Sequence, residues 1–229
     1  MLRIGGLTPL STTDWPGMLT AVVFCQGCPW RCGYCHNPDL IPARGENEIP
    51  WEAVLALLRR RQGLLDGVVF SGGEPTLQAG LPDAMHEVRE MGFKIGLHTG
   101  GMIPEKLAAV LPLVNWVGMD VKAPFADYAR ITGAVGSGDR VQASLREILA
   151  SGVVHEIRTT VHPALLTDAQ VSNLAHDLAA RGVKHYVIQA FRSQGCRDEV
   201  LCQNAARARP LQDVGVQLAG LFEDCAVRS

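Results

Sequence analysis

Cys28-Pro29-Trp30-Arg31-Cys32-Gly33-Tyr34-Cys35 sets three thiols in a C-x3-C-x2-C spacing. Three thiolates held this closely can each take one iron of a cubane [4Fe-4S] cluster. The fourth iron is then left without a protein ligand. A cluster that only transfers electrons normally has four cysteines. A metal site one ligand short can bind and act on something else, as open catalytic zinc sites do. The spacing therefore points to an enzyme whose chemistry happens at iron.

Two blander readings compete. Cys25 upstream makes four closely spaced cysteines, Cys25, Cys28, Cys32 and Cys35, which suggests a zinc knuckle. Zinc ribbons pair two C-x2-C knuckles across a spacer of roughly 12–20 residues, and the gap here is far shorter. A ferredoxin-type cluster uses C-x2-C-x2-C-x3-C-P, which the chain does not match. Buried cysteine is a common structural filler, so Cys25 is not counted as a ligand. Cys196, Cys202 and Cys225 match no compact ligand set.

The elements that must position this loop follow from the rest of the sequence. The chain has 229 residues, 47% of them hydrophobic, enough for a sizeable core in one domain spanning 1–229. Lys+Arg 21 against Asp+Glu 23 gives a net charge of −2 and no basic footprint for nucleic acid. Arg59-Arg60-Arg61 reads as a solvated helix face. No signal-peptide h-region opens the sequence and no apolar run is long enough to span a membrane. Seven cysteines without an export signal imply a reducing cytoplasm, where clustered thiols are metal ligands rather than disulfides.

Strand-like and helix-like segments then alternate. Strands are predicted over Thr20–Cys25, Gly67–Ser71, Phe93–Leu97, Trp116–Val121, Val154–Val161 and Lys184–Gln189. Helices are predicted over Trp51–Arg61, Leu81–Met91, Glu105–Leu111, Ala143–Ala150, Asp168–Arg181 and Leu211–Phe222. Such alternation argues βαβ units and a parallel sheet. Six units are too few for a closed eight-fold barrel. In parallel α/β sheets, function collects at the carboxyl ends of the strands. The cysteine loop, Ser71-Gly72-Gly73-Glu74-Pro75, His98-Thr99-Gly100-Gly101 and Met119-Asp120-Val121-Lys122 all fall there.

The cysteine motif resembles that of the radical S-adenosylmethionine superfamily. That resemblance implies an α/β fold, a partial (β/α)6 barrel of parallel strands with helices outside. It also implies two cofactors, one [4Fe-4S] cluster held by Cys28, Cys32 and Cys35, and S-adenosyl-L-methionine. In that family the open iron chelates the methionine moiety, and one electron from the reduced cluster breaks the bond from sulfur to the ribose. The resulting 5′-deoxyadenosyl radical abstracts a hydrogen atom. The cofactors carry that chemistry while the protein orients the reacting centres.

Further residues carry the same resemblance. Gly72-Gly73-Glu74 is similar to the superfamily's G-G-E motif, whose backbone and acid hold the methionine amino group. Taken alone, two glycines let backbone approach a ligand closely, and an ordinary Gly-Gly turn is the competing reading. Asp120 and Lys122 resemble a D-x-K segment near the ribose and the methionine carboxylate; a strand-end ion pair competes. Tyr34 resembles the aromatic that packs near the adenine. Arg158 is read as a possible carboxylate partner and Gln189 as an approach to the adenine. His36 is read as a donor behind the site, and His98 and Thr99 as weaker candidates.

The segment Ile4–Gly17 and then Val23–Cys28 resembles anaerobic ribonucleoside-triphosphate reductase activating proteins. By that resemblance the reaction is hydrogen abstraction from a glycine of a glycyl radical enzyme, with a flavodoxin or ferredoxin-type protein as reductant. Three alternatives stay open: a radical enzyme acting on a small molecule, such as a 7-deazaguanine-type synthase; a non-catalytic iron–sulfur protein; and a zinc-binding interaction module.

Overall fold

In the computed structural model, which describes residues 2–204 and 211–228, one eight-stranded sheet runs in simple chain order. Its strands are β1 Ile4–Ser11, β2 Thr20–Cys25, β3 Gly67–Gly72, β4 Lys94–Thr99, β5 Trp116–Asp120, β6 Val154–Val161, β7 His185–Ala190 and β8 Asp224–Arg228. β1 pairs antiparallel with β2, and every later pair is parallel. The helices are α1 Trp51–Arg59, α2 Leu81–Glu90, α3 Pro104–Val110, α4 Tyr128–Thr132, α5 Ser137–Ser151, α6 Asp168–Ala180, α7 Glu199–Asn204 and α8 Gln212–Leu218. Among the described residues no helix is long and apolar enough to cross a membrane.

The six expected strands are β2 to β7, shifted by a residue or two at their ends. The partial-barrel expectation needs two additions. β1 carries Gly5, Gly6 and Pro9, which break a strand pattern, yet it sits at the sheet edge, where proline is tolerated. Its register slips twice against β2. The expected closing helix over Leu211–Phe222 instead stops at Leu218. A single turn follows, and then β8 pairs with β7. α5 begins well before Ala143, after Gly136 turns the chain in the left-handed region.

Strand side chains alternate between faces, and here the alternation separates two cores. Ala21, Val23, Cys25, Val68, Phe70, Ile95, Leu97, Val117 and Met119 join the helices in the main apolar cluster. Trp15, Val22, Val69 and Trp116 form a second, inner cluster on the concave side. Trp15 comes from the β1–β2 connection and stacks on Trp116, with ring centroids 5.6 Å apart. It fills the inside of the barrel because β4 offers Gly96 there; a Cβ at Gly96 would stand 2.8 Å from the Trp15 ring. Above this apolar plug the inner face turns polar, with Ser71, His98, Asp120, Arg158 and Thr160 on adjacent strands.

Candidate functional site

The polar upper half of the barrel opens into a cavity of about 540 Å³ at the carboxyl ends of the strands. Cys28, Cys32 and Cys35 line one side of it, together with Tyr34. Cys25 does not. It lies one pleat step onto the helix-facing side of β2, fully buried in the main core, and burial pushes its thiol well up. Three cysteines of one loop thus share a cavity and the fourth is core.

Backbone hydrogen bonds shape the cysteine loop. Gly27 N donates to Leu40 O at 2.8 Å, Cys28 N to Ile41 O at 3.1 Å, and Arg31 N to Thr132 O at 3.0 Å. Cys35 N turns back onto Cys32 O at 3.1 Å. Burial pushes Cys28 up to about 12 and raises Cys32, although Lys122 works against the latter. Ligation to iron would therefore release protons.

Gly72 and Gly73 also line the cavity, but their small size serves the protein first. Gly72 has φ +113°, and a Cβ there would run into the Cys25 backbone. A Cβ at Gly73 would run into Gly27 O. Gly73 N donates to Cys25 O and Glu74 N to Gly27 O, each at 2.9 Å. The Gly-Gly turn is therefore pressed against the base of the cysteine loop, and its backbone groups face the cavity beside the thiols.

Glu74 departs from the expectation of a carboxylate that meets an ammonium group directly. It is fully buried and lies behind the cavity wall. Its Oε1 accepts from Thr76 N at 3.1 Å, Thr76 Oγ1 at 2.7 Å and Thr99 Oγ1 at 2.8 Å; Oε2 accepts from Gly100 N at 3.0 Å. Burial raises its pKa and these four donors oppose that rise. The carboxylate ties the turn after β3 to the end of β4. Thr99, a weak candidate in the sequence, is its partner.

Asp120 and Lys122 both line the cavity, and Lys122 Nζ lies 3.4 Å from Asp120 Oδ2. Arg158 also lines the cavity, but its guanidinium is engaged by protein groups. Its Nε donates to Asp120 Oδ1 at 3.1 Å and its Nη2 to Gly118 O at 3.2 Å. Gly118 is required beneath it, since a Cβ would stand 2.8 Å from the guanidinium carbon. Burial works against charge on Asp120, but Lys122 and Arg158 overcome it and hold the carboxyl at about 2. Burial alone would lower Lys122; Tyr34 and Asp120 hold it well above its ordinary value. Lys122 Nζ also sits 5.7 Å from the centre of the Tyr34 ring.

Asp14, Arg192 and Gln194 were not given a site role by sequence, whereas His98, His36 and Gln189 were candidates. Asp14 lines the cavity from the β1–β2 connection, the same segment whose Trp15 plugs the barrel. Its backbone carbonyl lies 2.7 Å from His98 Nε2, and Arg158 Nη1 lies 3.3 Å from the same nitrogen. His98 Nδ1 lies 3.3 Å from Ser71 Oγ. Burial and the Arg158 charge hold His98 down at about 3, hence neutral. Arg192 and Gln194 line the outer rim, where His36 Nε2 meets Arg192 O at 2.9 Å. Gln189 lines the cavity beside Thr160, 3.5 Å away.

The donor set fits a cluster rather than a single ion. Among the described residues no three His, Cys, Asp or Glu side chains converge as one ion requires, whereas a cubane takes one thiolate per iron and spreads its ligands. The buried Tyr34 Oη faces this region without a hydrogen-bond partner among the described residues. Three thiols, exposed backbone of Gly72-Gly73, a carboxylate, an ammonium and an aromatic thus share one cavity.

Comparison with known proteins shows the family and the fold. The model of the Radical SAM superfamily matches residues 22–184. The chain is 35% identical to a pyruvate formate-lyase-activating enzyme of Clostridium pasteurianum, over 74% of this chain and 72% of that one. It is 27% identical to a protein of Methanocaldococcus jannaschii named for glycyl-radical enzyme activation, over 86% and 82%. Among solved structures, Streptococcus suis SuiB bound to S-adenosylmethionine shares the fold with a TM-score of 0.67 at 14% identity. That match covers 89% of this chain and 48% of SuiB, so the chain spans about half of that structure.

Proposed function

This chain belongs to the radical S-adenosylmethionine superfamily and, within it, to the glycyl-radical-enzyme activating enzymes, and we propose that its partner is an anaerobic ribonucleoside-triphosphate reductase. The observation that carries the site assignment is the convergence of Cys28, Cys32 and Cys35 with Gly72, Gly73, Asp120 and Lys122 on one cavity. Enzymes of this family use a [4Fe-4S] cluster and S-adenosylmethionine, and when bound these supply reductive cleavage of the cofactor and hydrogen abstraction from the substrate.

The chain's own residues do the rest. Cys28, Cys32 and Cys35 would hold the cluster. Backbone carbonyls of the Gly72-Gly73 turn accept from the methionine ammonium, with Glu74 fixing the turn from behind. Lys122 pairs with the methionine carboxylate. Asp120, kept ionised by Lys122 and Arg158, accepts from ribose hydroxyls. Tyr34 packs beside the adenine. Trp15 and Trp116 close the barrel from below, so water is excluded there and the partner's glycine loop must enter from the open rim. A flavodoxin or ferredoxin-type protein delivers the electron.

The partner assignment rests on the Ile4–Gly17 segment, whose resemblance is to reductase activating proteins. The test is an anaerobic mixture of this protein, dithionite, S-adenosylmethionine and the cognate reductase. A doublet-like glycyl radical EPR signal is expected, with deuterium from that glycine's α-carbon recovered in 5′-deoxyadenosine. A radical on a pyruvate formate-lyase instead moves the partner. Label transfer from a free small molecule, with no protein radical, overturns the activase reading for this chain's substrate.

A further inference from the structure

Four of the seven cysteines stand outside the triplet assigned to the cluster. Cys25 is sealed in the core. Cys225 lies on β8 without a second cysteine beside it among the hydrogen-bonded neighbours. Cys196 and Cys202 differ, because the two partly exposed thiols meet each other. Cys196 N closes a turn onto Ser193 O at 3.1 Å, and Cys202 Sγ reaches both Ser193 O and Cys196 O at 3.7 Å. The Cys202 side chain therefore seats itself on the turn that carries Cys196.

That turn belongs to a segment that wraps the cysteine loop. Phe191 stacks on His36 with centroids 5.5 Å apart, and Arg197 pairs with Asp39. Gly195 turns with φ +84° because a Cβ would strike His36 O. Cys196 Sγ approaches Gly33 O, between Cys32 and Cys35, at 3.6 Å. In that contact the thiol hydrogen is the donor.

We propose that Cys196 and Cys202 are an oxidisable dithiol that closes to an intramolecular disulfide by exchange with a low-molecular-weight disulfide, and that closure unlatches the wrapping segment from the cysteine loop at Gly33. The Cys196 thiolate attacks the external disulfide, releasing one small thiol and leaving a mixed disulfide. Cys202 then gives up its proton and attacks the Cys196 sulfur, releasing the second small thiol. Two protein thiols are oxidised and one external disulfide is reduced to two thiols, through the usual mixed-disulfide intermediate. Cys202 is placed to attack second because its Sγ already lies against the Cys196 backbone, 3.7 Å from Cys196 O. A disulfide sulfur has no hydrogen, so Gly33 O loses its donor. In reducing cells such disulfides are transient and serve sensing rather than structure.

Sequence supplies a direct readout, because Arg197 places a trypsin site between the two cysteines. Anaerobic, cluster-loaded protein is equilibrated with oxidised or reduced glutathione, quenched by alkylation, digested and mapped by mass spectrometry. The expected product joins peptide 193–197 to peptide 198–207 only in oxidised glutathione. Glutathione left on either cysteine without the cross-link, or no reaction at either, overturns the pair. Iron release to a chelator reads the latch. It should rise about threefold on oxidation, as expected for losing one weak hydrogen bond. Cys196→Ser keeps a hydroxyl donor for Gly33 O and cannot cross-link, so its release should not respond to oxidised glutathione. Equal release from both redox forms of the unaltered protein overturns the latch. The cross-link does not depend on the cluster assignment while the iron-release arm rests on it, so protein that loads no cluster fails that assignment and still reports on the pair.

Discussion

Thr99 Oγ1, at the cavity wall, donates to the fully buried Glu74 Oε1 at 2.8 Å. This bond joins the ends of β3 and β4 directly behind the Gly72-Gly73 turn. The acid of the G-G-E triplet works here as a fastener that holds the turn in place.

Replacing that fastener should therefore cost stability. Glu74→Gln keeps the shape but has one carbonyl oxygen for four donors, so its amide NH2 must oppose either Gly100 N or the Thr76 and Thr99 hydroxyls. A buried donor left without an acceptor costs about 1–3 kcal/mol. Urea unfolding should show a loss in this range for Glu74→Gln, and a similar one for Thr99→Val. S-adenosylmethionine affinity should fall less than in Lys122→Met. A Glu74→Gln protein of full stability with strongly weakened binding would restore the direct-contact role.

Iron and sulfide analysis after anaerobic reconstitution should separate the cysteines. Cys28→Ala, Cys32→Ala and Cys35→Ala should each lose the cluster. Cys25→Ala should keep it and lose only the packing of a small buried side chain. Loss of the cluster in Cys25→Ala, with retention in any of the other three, would redraw the ligand set.

Gly73→Ala tests the seam between the turn and the cysteine loop. The added Cβ would meet Gly27 O, a backbone atom that cannot swing away. Overpacking of this kind costs about 1–3 kcal/mol. The displaced neighbour is the loop that carries Cys28, so cluster content should fall along with thermal stability. Gly73 is not in the left-handed region, so its variant tests the clash alone; Gly92→Ala, which has φ +90° and nothing within 4 Å of the added atom, is the control for destabilisation away from the loop. Its cluster content should be unchanged.

Much of this arrangement was legible from local spacing. The C-x3-C-x2-C loop and the Gly-Gly turn are each defined within a few residues, and each follows a strand whose apolar run is plain. What stayed hidden depends on register between distant strands. Arg158 stands opposite Asp120 because β5 and β6 align those two residues, and no local pattern announces that pairing. The result is a guanidinium spent on Asp120 rather than on a ligand. Asp14 and Trp15 enter the barrel from a connection that reads as a polar turn. β1 and β8 were missed because glycine, proline and short length mask edge strands, while neighbouring strands supply the order.

His98 predicts a pH dependence. Burial and Arg158 hold its folded pKa at about 3, below the ordinary 6.5. A folded pKa below the unfolded one gives stability that is full above about pH 6.5 and lost as pH falls toward 3. The slope for one proton is about 1.4 kcal/mol per pH unit. Unfolding free energies measured between pH 7 and 4 should decline less steeply in His98→Gln than in the unaltered protein, by about one proton. Parallel curves would mean that His98 titrates normally.

Asp120 stands between two cations, with Arg158 Nε at 3.1 Å and Lys122 Nζ at 3.4 Å. Asp120→Asn removes the charge both of them face. Arg158 is almost fully buried, so it suffers most; Lys122 can turn toward the cavity. Leaving one member of a hydrogen-bonded charge pair unmatched costs about 2 kcal/mol in a partly buried setting. Arg158→Gln acts on the other side of the same carboxylate and leaves the Lys122 contact in place. Anaerobic titration should therefore show S-adenosylmethionine binding weakened about tenfold in Asp120→Asn and clearly less in Arg158→Gln, while both lose stability. Equal loss of affinity in the two variants would mean that Arg158 itself reaches the cofactor, and that its contact to Asp120 is not the one that matters for binding.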